Sequence, residues 1–275
     1  MVRVNIVGAG KVGQTLMLLM AGLDGVIVQD VLSQRRESAL RATELAKTGR
    51  AVDRIADMGA ADLWLLTVPD DRIAGVAEQL AGSAAPAMAV HCSGFLSSAV
   101  LGPLGAAGWR VASCHPVLSF ADPQSAAQQF AGTYCAVEGD SAAVQAITDL
   151  VERMGGIPFA VNAQQKALYH AAAVFSNNFA VVVQGIAQDA WAAAGVPQDV
   201  AKALGDKLLG GAAANVARLG PQAALTGPAA RGDTEVLDAQ GAAVAAWHPE
   251  AGQAYRVLSD LGWRLKQTGA TKGDA

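Results

Sequence analysis

The sequence predicts an α/β domain built on a mostly parallel, doubly wound sheet, followed by an all-α domain. Three observations carry that reading. The chain opens on a strand, a glycine turn and a helix without a gap; strand and helix patterns alternate as far as residue 158; and from residue 163 only helical patterns remain. The domains expected are therefore 1–158 and 159–275. With 275 residues, of which 52% are hydrophobic and 16% charged, the chain is long enough to bury two such cores.

Residues 2–7, VRVNIV, form a β-branched apolar run, and the apolar stretch QTLMLLMAGL follows the glycines directly. Between them lies Gly8-Ala9-Gly10-Lys11-Val12-Gly13. In this setting Gly8 permits the tight turn, Gly10 lets a pyrophosphate approach the backbone, and Gly13 lets the helix pack on the strand. The unpaired N–H groups of the helix start, Lys11 and Val12 among them, then face anionic phosphates. An isolated GxGxxG could be an ordinary turn; its place between strand and helix points to a dinucleotide.

The second strand, 26–32, should end at the adenosine ribose. Asp30 lies near the offset of an acidic residue that accepts from the ribose 2′-OH of NAD, but the strand pattern runs past it to Ser33-Gln34-Arg35-Arg36. A hydroxyl and two cations at Ser33, Arg35 and Arg36 favour the 2′-phosphate of NADP. NAD is the alternative, with both arginines then a solvated helix start.

A buried strand at 62–68, DLWLLTV, ends in Pro69-Asp70-Asp71, where Asp70 or Asp71 can cap the helix IAGVAEQL. Strands at 87–91 and 110–114 end in His91-Cys92-Ser93-Gly94 and His115-Pro116. Ligands bind beyond the carboxyl ends of parallel strands, which puts Val68, Pro69, Ser93 and His115 on the cofactor side. A strand at 133–137 and a helix at 142–154 complete this region. Strand patterns stop at Gly155-Gly156-Ile157-Pro158.

Residues 163–192 read as one long, mostly apolar helix. At about 100° per residue, Lys166, His170, Ala173, Asn177 and Gln184 fall within about 60° of one another. Unpaired buried polar groups cost about 1 to 3 kcal/mol each, so something polar should face this stripe: an internal network, or a substrate in a cleft against the first domain. Helices to about 219, at 234–246 and at 249–267 follow, with Pro197 near an N1 position. In the glycine-interrupted segment 225–234, Arg231 is available to clamp an anion and Asp233 to cap a helix, or the two simply pair. The closing TGATKGDA reads as a loose tail.

A net charge of −4 without any Lys/Arg run gives no footprint for nucleic acid. The most apolar window, 171–195, is interrupted by Asn177, Asn178, Gln184, Gln188 and Asp189, which argues against a membrane span. Met1 leads straight into the first strand, so no signal or transit segment is expected. Cys92, Cys114 and Cys135, expected in strands and without metal-ligand spacing, read as reduced core thiols of a cytoplasmic protein that holds no metal. The helices are too apolar for exposure, which predicts a homodimer.

Hydride transfer to C=O or C=N requires a proton for the heteroatom and a group that polarises it. His115, held at a strand end by Pro116, and His170 are the titratable candidates, while His91 and His248 read as structural. Lys166 could donate a proton or anchor a carboxylate, Asn177 could bond the reacting oxygen or the lysine, and Ser93 could orient His115 or the cofactor carboxamide.

With GAGKVG at 8–13, TVPDDRI at 67–73, HCSG at 91–94, HPVLSF at 115–120, KALYHAAAVFSNN at 166–178 and LTGPAARGD at 225–233, the chain resembles a bacterial family of Rossmann-like proteins carrying a C-terminal domain of unknown function numbered 2520. The resemblance spans nearly the whole chain. It implies an NADP-binding Rossmann domain like that of pyrroline-5-carboxylate reductases and a helical domain that dimerises and builds the cleft. Ser93 and His115-Pro116 are similar to positions of prephenate dehydrogenases, where the histidine contacts the substrate hydroxyl. Lys166 is similar to the lysine of 3-hydroxyacid dehydrogenases and ketopantoate reductases; their partner one turn later is commonly asparagine, and here it is His170. The expectation is an NADP-dependent oxidoreductase acting on a small keto, imino or hydroxy carboxylate. Its rivals are a non-catalytic NADP(H)-binding sensor and an enzyme using a reduced deazaflavin.

Overall fold

The computed structural model describes residues 1–273. Eight strands, β1 (Val2–Val7), β2 (Val26–Leu32), β3 (Arg50–Val52), β4 (Leu63–Leu66), β5 (Met88–His91), β6 (Arg110–Pro116), β7 (Tyr134–Gly139) and β8 (Ile157–Ala160), form one sheet in the order β3-β2-β1-β4-β5-β6-β7-β8. Every neighbouring pair is parallel except β6 with β7. Interleaved with them are α1 (Lys11–Ala21), α2 (Arg36–Ala46), α3 (Asp70–Ser83), α4 (Gly102–Ala106), α5 (Pro123–Gln128) and α6 (Ser141–Arg153).

The sheet is buried on both faces, as its strand composition requires. On one face Val4, Ile6, Val28 and Leu65 pack under Leu16 and Met17 of α1 and Ile147 and Val151 of α6. On the other, Val7, Trp64 and Leu66 pack under Ile73 and Leu80 of α3 and Leu104 of α4. The sheet does not stop at Pro158: β8 adds in parallel to β7. A proline has no N–H for a ladder, which an edge strand tolerates, and β8 is the edge. The three-residue β3 at the opposite edge is too short to leave a periodic signal.

After the sheet come α7 (Lys166–Ser176), α8 (Asn178–Ala193), α9 (Gln198–Leu219), α10 (Pro221–Ala224), α11 (Pro228–Arg231), α12 (Thr234–Trp247) and α13 (Pro249–Thr268). The single helix expected over 163–192 is broken. Asn177 leaves helical geometry at φ −120° and ψ −64°. Just before it, the Ser176 hydroxyl donates back to the Ala172 carbonyl at 3.0 Å. Such side-chain bonds compete with helix propagation, and Ser-Asn-Asn concentrates them. The expected polar stripe is therefore interrupted after Ala173, and Gln184 belongs to another helix, facing Gly205 of α9.

The chain divides into two compact units, Met1–Asn177 and the helices from Asn178 on. Thus α7 stays with the sheet, and the division falls later than the 158/159 boundary expected. In the second unit α12 and α13 approach closely at Gly252, where a Cβ would come within 2.6 Å of the Ala245 backbone. Pro197 sits at the N-cap of α9 rather than inside it. Of the tail, Thr268 ends α13 and Gly269 caps it at φ +78°, while residues 274–275 lie outside the described residues. Among the described residues no helix is long and apolar enough to cross a membrane. All three cysteines are free; Cys92 lies just beyond β5 rather than in a strand.

Candidate functional site

The opening glycines form the cradle that their spacing implies. Gly8 turns at φ +114°, and a Cβ there would lie 2.5 Å from the Thr67 backbone. The Thr67 hydroxyl donates to the Gly8 carbonyl at 2.5 Å, tying β1 to the end of β4. At Gly13 a Cβ would meet the Gly8 carbonyl oxygen at 2.1 Å, so α1 seats on the strand only with glycine. Gly10 faces open space and caps α1 without any side-chain bond, leaving its first N–H groups free for an anion.

Gly8, Ala9 and Gly10 line one end of a cavity of about 720 Å³. Ser33, Gln34, Arg35, Ser38 and Asp53 line it from the second-strand side, and Thr67, Val68, Pro69 and Arg72 from the start of α3. Of the expected cofactor residues, Gly8, Gly10, Ser33, Arg35, Val68 and Pro69 meet here. Lys11, Val12, Gly13 and Arg36 are outside the lining. Arg36 instead donates to the Asp53 carboxylate. Asp30 does not reach the cavity: it is 1% exposed, accepting from Arg50 at 2.7 Å and from the Gly59 N–H at 2.7 Å. The end of β2 therefore offers a hydroxyl and a cation.

A second group lies where β5, β6 and α7 meet. His115, near the end of β6, bonds the Tyr169 hydroxyl through Nδ1 at 2.9 Å, and its ring stands edge-on to His170 with centroids 5.3 Å apart. Gly94 runs beneath both. A Cβ on it would lie 2.4 Å from His170 Nδ1 and 2.8 Å from His115 Nε2, so the two imidazoles converge on one point of backbone. Burial, with His170 and Lys166 nearby, pulls the His115 pKa down to about 4 and keeps the ring neutral near pH 7. Burial also pushes the Tyr169 phenol up to about 12. His170 Nδ1 is buried without a hydrogen-bond partner.

Beneath them lies a sealed ion pair. Lys166 is 1% exposed and directs its ammonium at the Ser93 carbonyl (2.9 Å), the Ser113 hydroxyl (2.6 Å) and Glu138 Oε1 (3.6 Å). Glu138 in turn accepts from the Ser98 backbone and hydroxyl and from Ser113. Burial pushes the Glu138 carboxyl up, but the serine bonds and Lys166 outweigh it and hold it below the usual range. Burial lowers the Lys166 pKa, and Glu138 partly offsets that. Two of the three donors of Lys166 are thus hydrogen-bonded, and the ammonium is sealed from solvent beside Glu138.

Ser93 is likewise committed. Its hydroxyl donates to Asp70 at 2.8 Å and accepts from the Phe95 and Leu96 N–H groups. Asp70 thus ties α3 to the 93–96 loop and makes no cap bond to its own helix. Asn177 is exposed at the end of α7, about 10 Å along the helix axis from His170. His91, fully buried, accepts from the Ser93 N–H through Nδ1, and burial takes its pKa down to about 4. In the second unit His248 caps α13 by accepting from the Ala251 N–H, while Arg231 and Asp233 pair with each other at 2.7 Å and Asp233 makes no cap bond. Among the described residues no group of three or more His, Cys, Asp or Glu side chains is placed to hold a metal ion.

Sequence reasoning did not single out Tyr169, Gly94, Ser113, Glu138 or Asp53. Glu138, the acid in the otherwise apolar strand YCAVEG, was the visible signal for a buried cation partner.

No curated protein matches the sequence. Among solved structures, a protein from Thermotoga maritima matches with 24% identity over 97% of this chain and 99% of that one, at a TM-score of 0.77. A provisional NADP oxidoreductase from Bacteroides fragilis matches with 21% identity over 96% and 98%, at 0.77. A pyrroline carboxylate reductase from Plasmodium falciparum, solved with NADP bound, matches with 10% identity over 97% and 98%, at 0.60. At these identities the shared property is the fold. Residues 1–116 match the model of a Rossmann-like domain, and residues 133–261 match that of the domain of unknown function 2520.

Proposed function

We propose that this protein is a nicotinamide-dinucleotide oxidoreductase that takes NADP(H) and moves a hydride to or from a small keto, imino or hydroxy carboxylate. The observation that carries the reading is the cavity joining the glycine cradle to Ser33 and Arg35, with Asp30 withdrawn and paired. The similar folds of an NADP oxidoreductase and a pyrroline carboxylate reductase support it. The bound dinucleotide would supply the hydride. Gly8, Gly10 and the first turn of α1 would hold its pyrophosphate, and Ser33 and Arg35 its 2′-phosphate.

In this reading the neutral His115 ring takes the proton when a hydroxy or amino carbon is oxidised, and in reduction the imidazolium returns it to the heteroatom. A neutral ring with Nδ1 engaged by Tyr169 has Nε2 for that purpose, and His170 Nδ1 adds a second polar atom at the same point. Lys166 and Ser93 act as positioning residues: the lysine holds the Ser93 carbonyl, and so fixes Gly94 beneath both rings. The exposed apolar side chains of the second unit support assembly as a homodimer, and a net charge of −4 supports the absence of a nucleic-acid partner.

The sealed Lys166 favours one rival, a protein that binds NADP(H) and reports it without turnover. Purified protein should bind NADPH and oxidise it with a member of a panel of keto and imino acids. His115→Asn should remove turnover and leave nucleotide affinity within about threefold. Tight binding with no turnover on any panel member, with NADPH or a reduced deazaflavin, would decide for the sensor; no nucleotide binding would end both readings.

A further inference from the structure

The second-strand side of the nucleotide cavity carries a residue that opposes the proposed ligand. Asp53, just beyond β3, lines the cavity beside Ser33, Arg35 and Ser38. Its carboxylate would face a 2′-phosphate with like charge. Arg36 bonds that carboxylate and lies outside the cavity lining, and the two side chains are 51% and 55% exposed. The nearby arginines are each matched to an acid as well: Arg50 to Asp30, and Arg54 to Asp57 through two bonds. Among the described residues Arg35 has no ion pair, and it is the cation on this side of the cavity; Arg72, lining it from α3, lies 3.6 Å from Asp71, which lines it too.

We propose that Asp53 sets the nucleotide preference of this site and that Arg36 acts as its counter-ion rather than as a phosphate ligand. The inference rests on the NADP(H) reading above. With Arg36 in place, Asp53 is neutralised, and Arg35, Ser33 and Ser38 meet the phosphate without net opposition. Without Arg36, the carboxylate repels a 2′-phosphate and is free to accept from the 2′-hydroxyl of NAD. The roles usually given to an acid at the end of the second strand would then fall to a residue one strand further out.

The test measures calorimetric affinities for NADPH and NADH in four forms of the full-length protein: wild type, Arg36→Met, Asp53→Asn and the double variant. Both positions are half-exposed, and circular dichroism checks that each form folds. Arg36→Met should weaken NADPH by about tenfold while leaving NADH unchanged or tighter. Asp53→Asn in that background should restore NADPH affinity to within about threefold of wild type, which a phosphate ligand at Arg36 would not allow. A double variant as weak as Arg36→Met, or an Arg36→Met protein that keeps its NADPH affinity, overturns this inference and leaves the NADP(H) reading standing. A wild type that binds neither nucleotide overturns both.

Discussion

The two compact units bury apolar surface in opposite ways. In the first, the sheet shields Trp64, Trp109, Phe130, Leu65 and Leu66 at 2% exposure or less. In the helices from Asn178 on, the buried residues are small, with Ala201, Gly205, Gly241, Ala251 and Gly252 at the helix contacts. Large apolar side chains there lie open instead: Leu208 is 59% exposed, Val257 58% and Leu258 52%. A strand layer covered on both faces makes its own core, whereas helices that touch through glycine and alanine leave their large residues for something else to cover. The sheet layer of the first unit thus makes its own core, whereas the large apolar residues on the helices from Asn178 on, like Leu168 and Phe175 at 70% and 68% on α7, are left uncovered by their own helices; in our proposal a second copy covers them.

The sharpest way to break this contrast is to truncate one large residue in each unit. Trp64→Ala should cost about 3–5 kcal/mol in denaturant unfolding, independent of protein concentration. Leu208→Ala should cost about 2 kcal/mol, in a protein whose Tm rises with concentration. A Leu208→Ala loss below about 0.5 kcal/mol, with a wild-type Tm that ignores concentration, would show that the second unit leaves this face open in solution.

Most of the fold was legible because it is written in period and punctuation. The strand expected at 26–32 matches β2, and the alternation up to α6 follows β-branched runs and turn residues. What escaped notice was local or non-local in a specific way. β8 hides behind Pro158, whose cost vanishes at a sheet edge. The break at Asn177 follows from side chains that compete for the backbone, which apolar periodicity cannot register. For the site, the glycine cradle was legible because only glycine satisfies its geometry. The role of Lys166 was not, because its partners Ser93, Ser113 and Glu138 come from separate stretches, 73, 53 and 28 residues away, that only the sheet brings together.

A second probe of the contrast is pH. His91 and His115 both have pKa values near 4 in the folded chain against an ordinary 6.5. Between those values the unfolded chain binds a proton on each that the folded chain refuses, so stability rises with pH across the window. It is fully present above about 6.5 and is lost as pH falls toward 4. For the fully buried His91 the slope is about 1.4 kcal/mol per pH unit. His91→Gln should flatten the Tm-against-pH curve between 6.5 and 4, and an unchanged curve would show that this ring is not what the first unit protects from protonation. The second unit's one histidine, His248, is 43% exposed.

The smallest effects test what holds the second unit internally. Arg231 reaches Asp233 with Nε at 2.9 Å and a terminal nitrogen at 2.7 Å, closing the turn at Gly232, yet it is 62% exposed. Solvent screens such a pair, so Arg231→Ala should change stability by less than about 0.5 kcal/mol. Gly232 between them stands at φ +74°, and a Cβ there would lie 2.7 Å from the Trp263 ring. Gly232→Ala should therefore cost more, about 1–2 kcal/mol, because it adds both backbone strain and a clash. That ordering follows if close backbone contact, not charge, holds these helices together. If the arginine variant proved the costlier of the two in thermal unfolding, the helical unit would owe its cohesion to ion pairing, and its small-residue contacts would lose the role assigned to them.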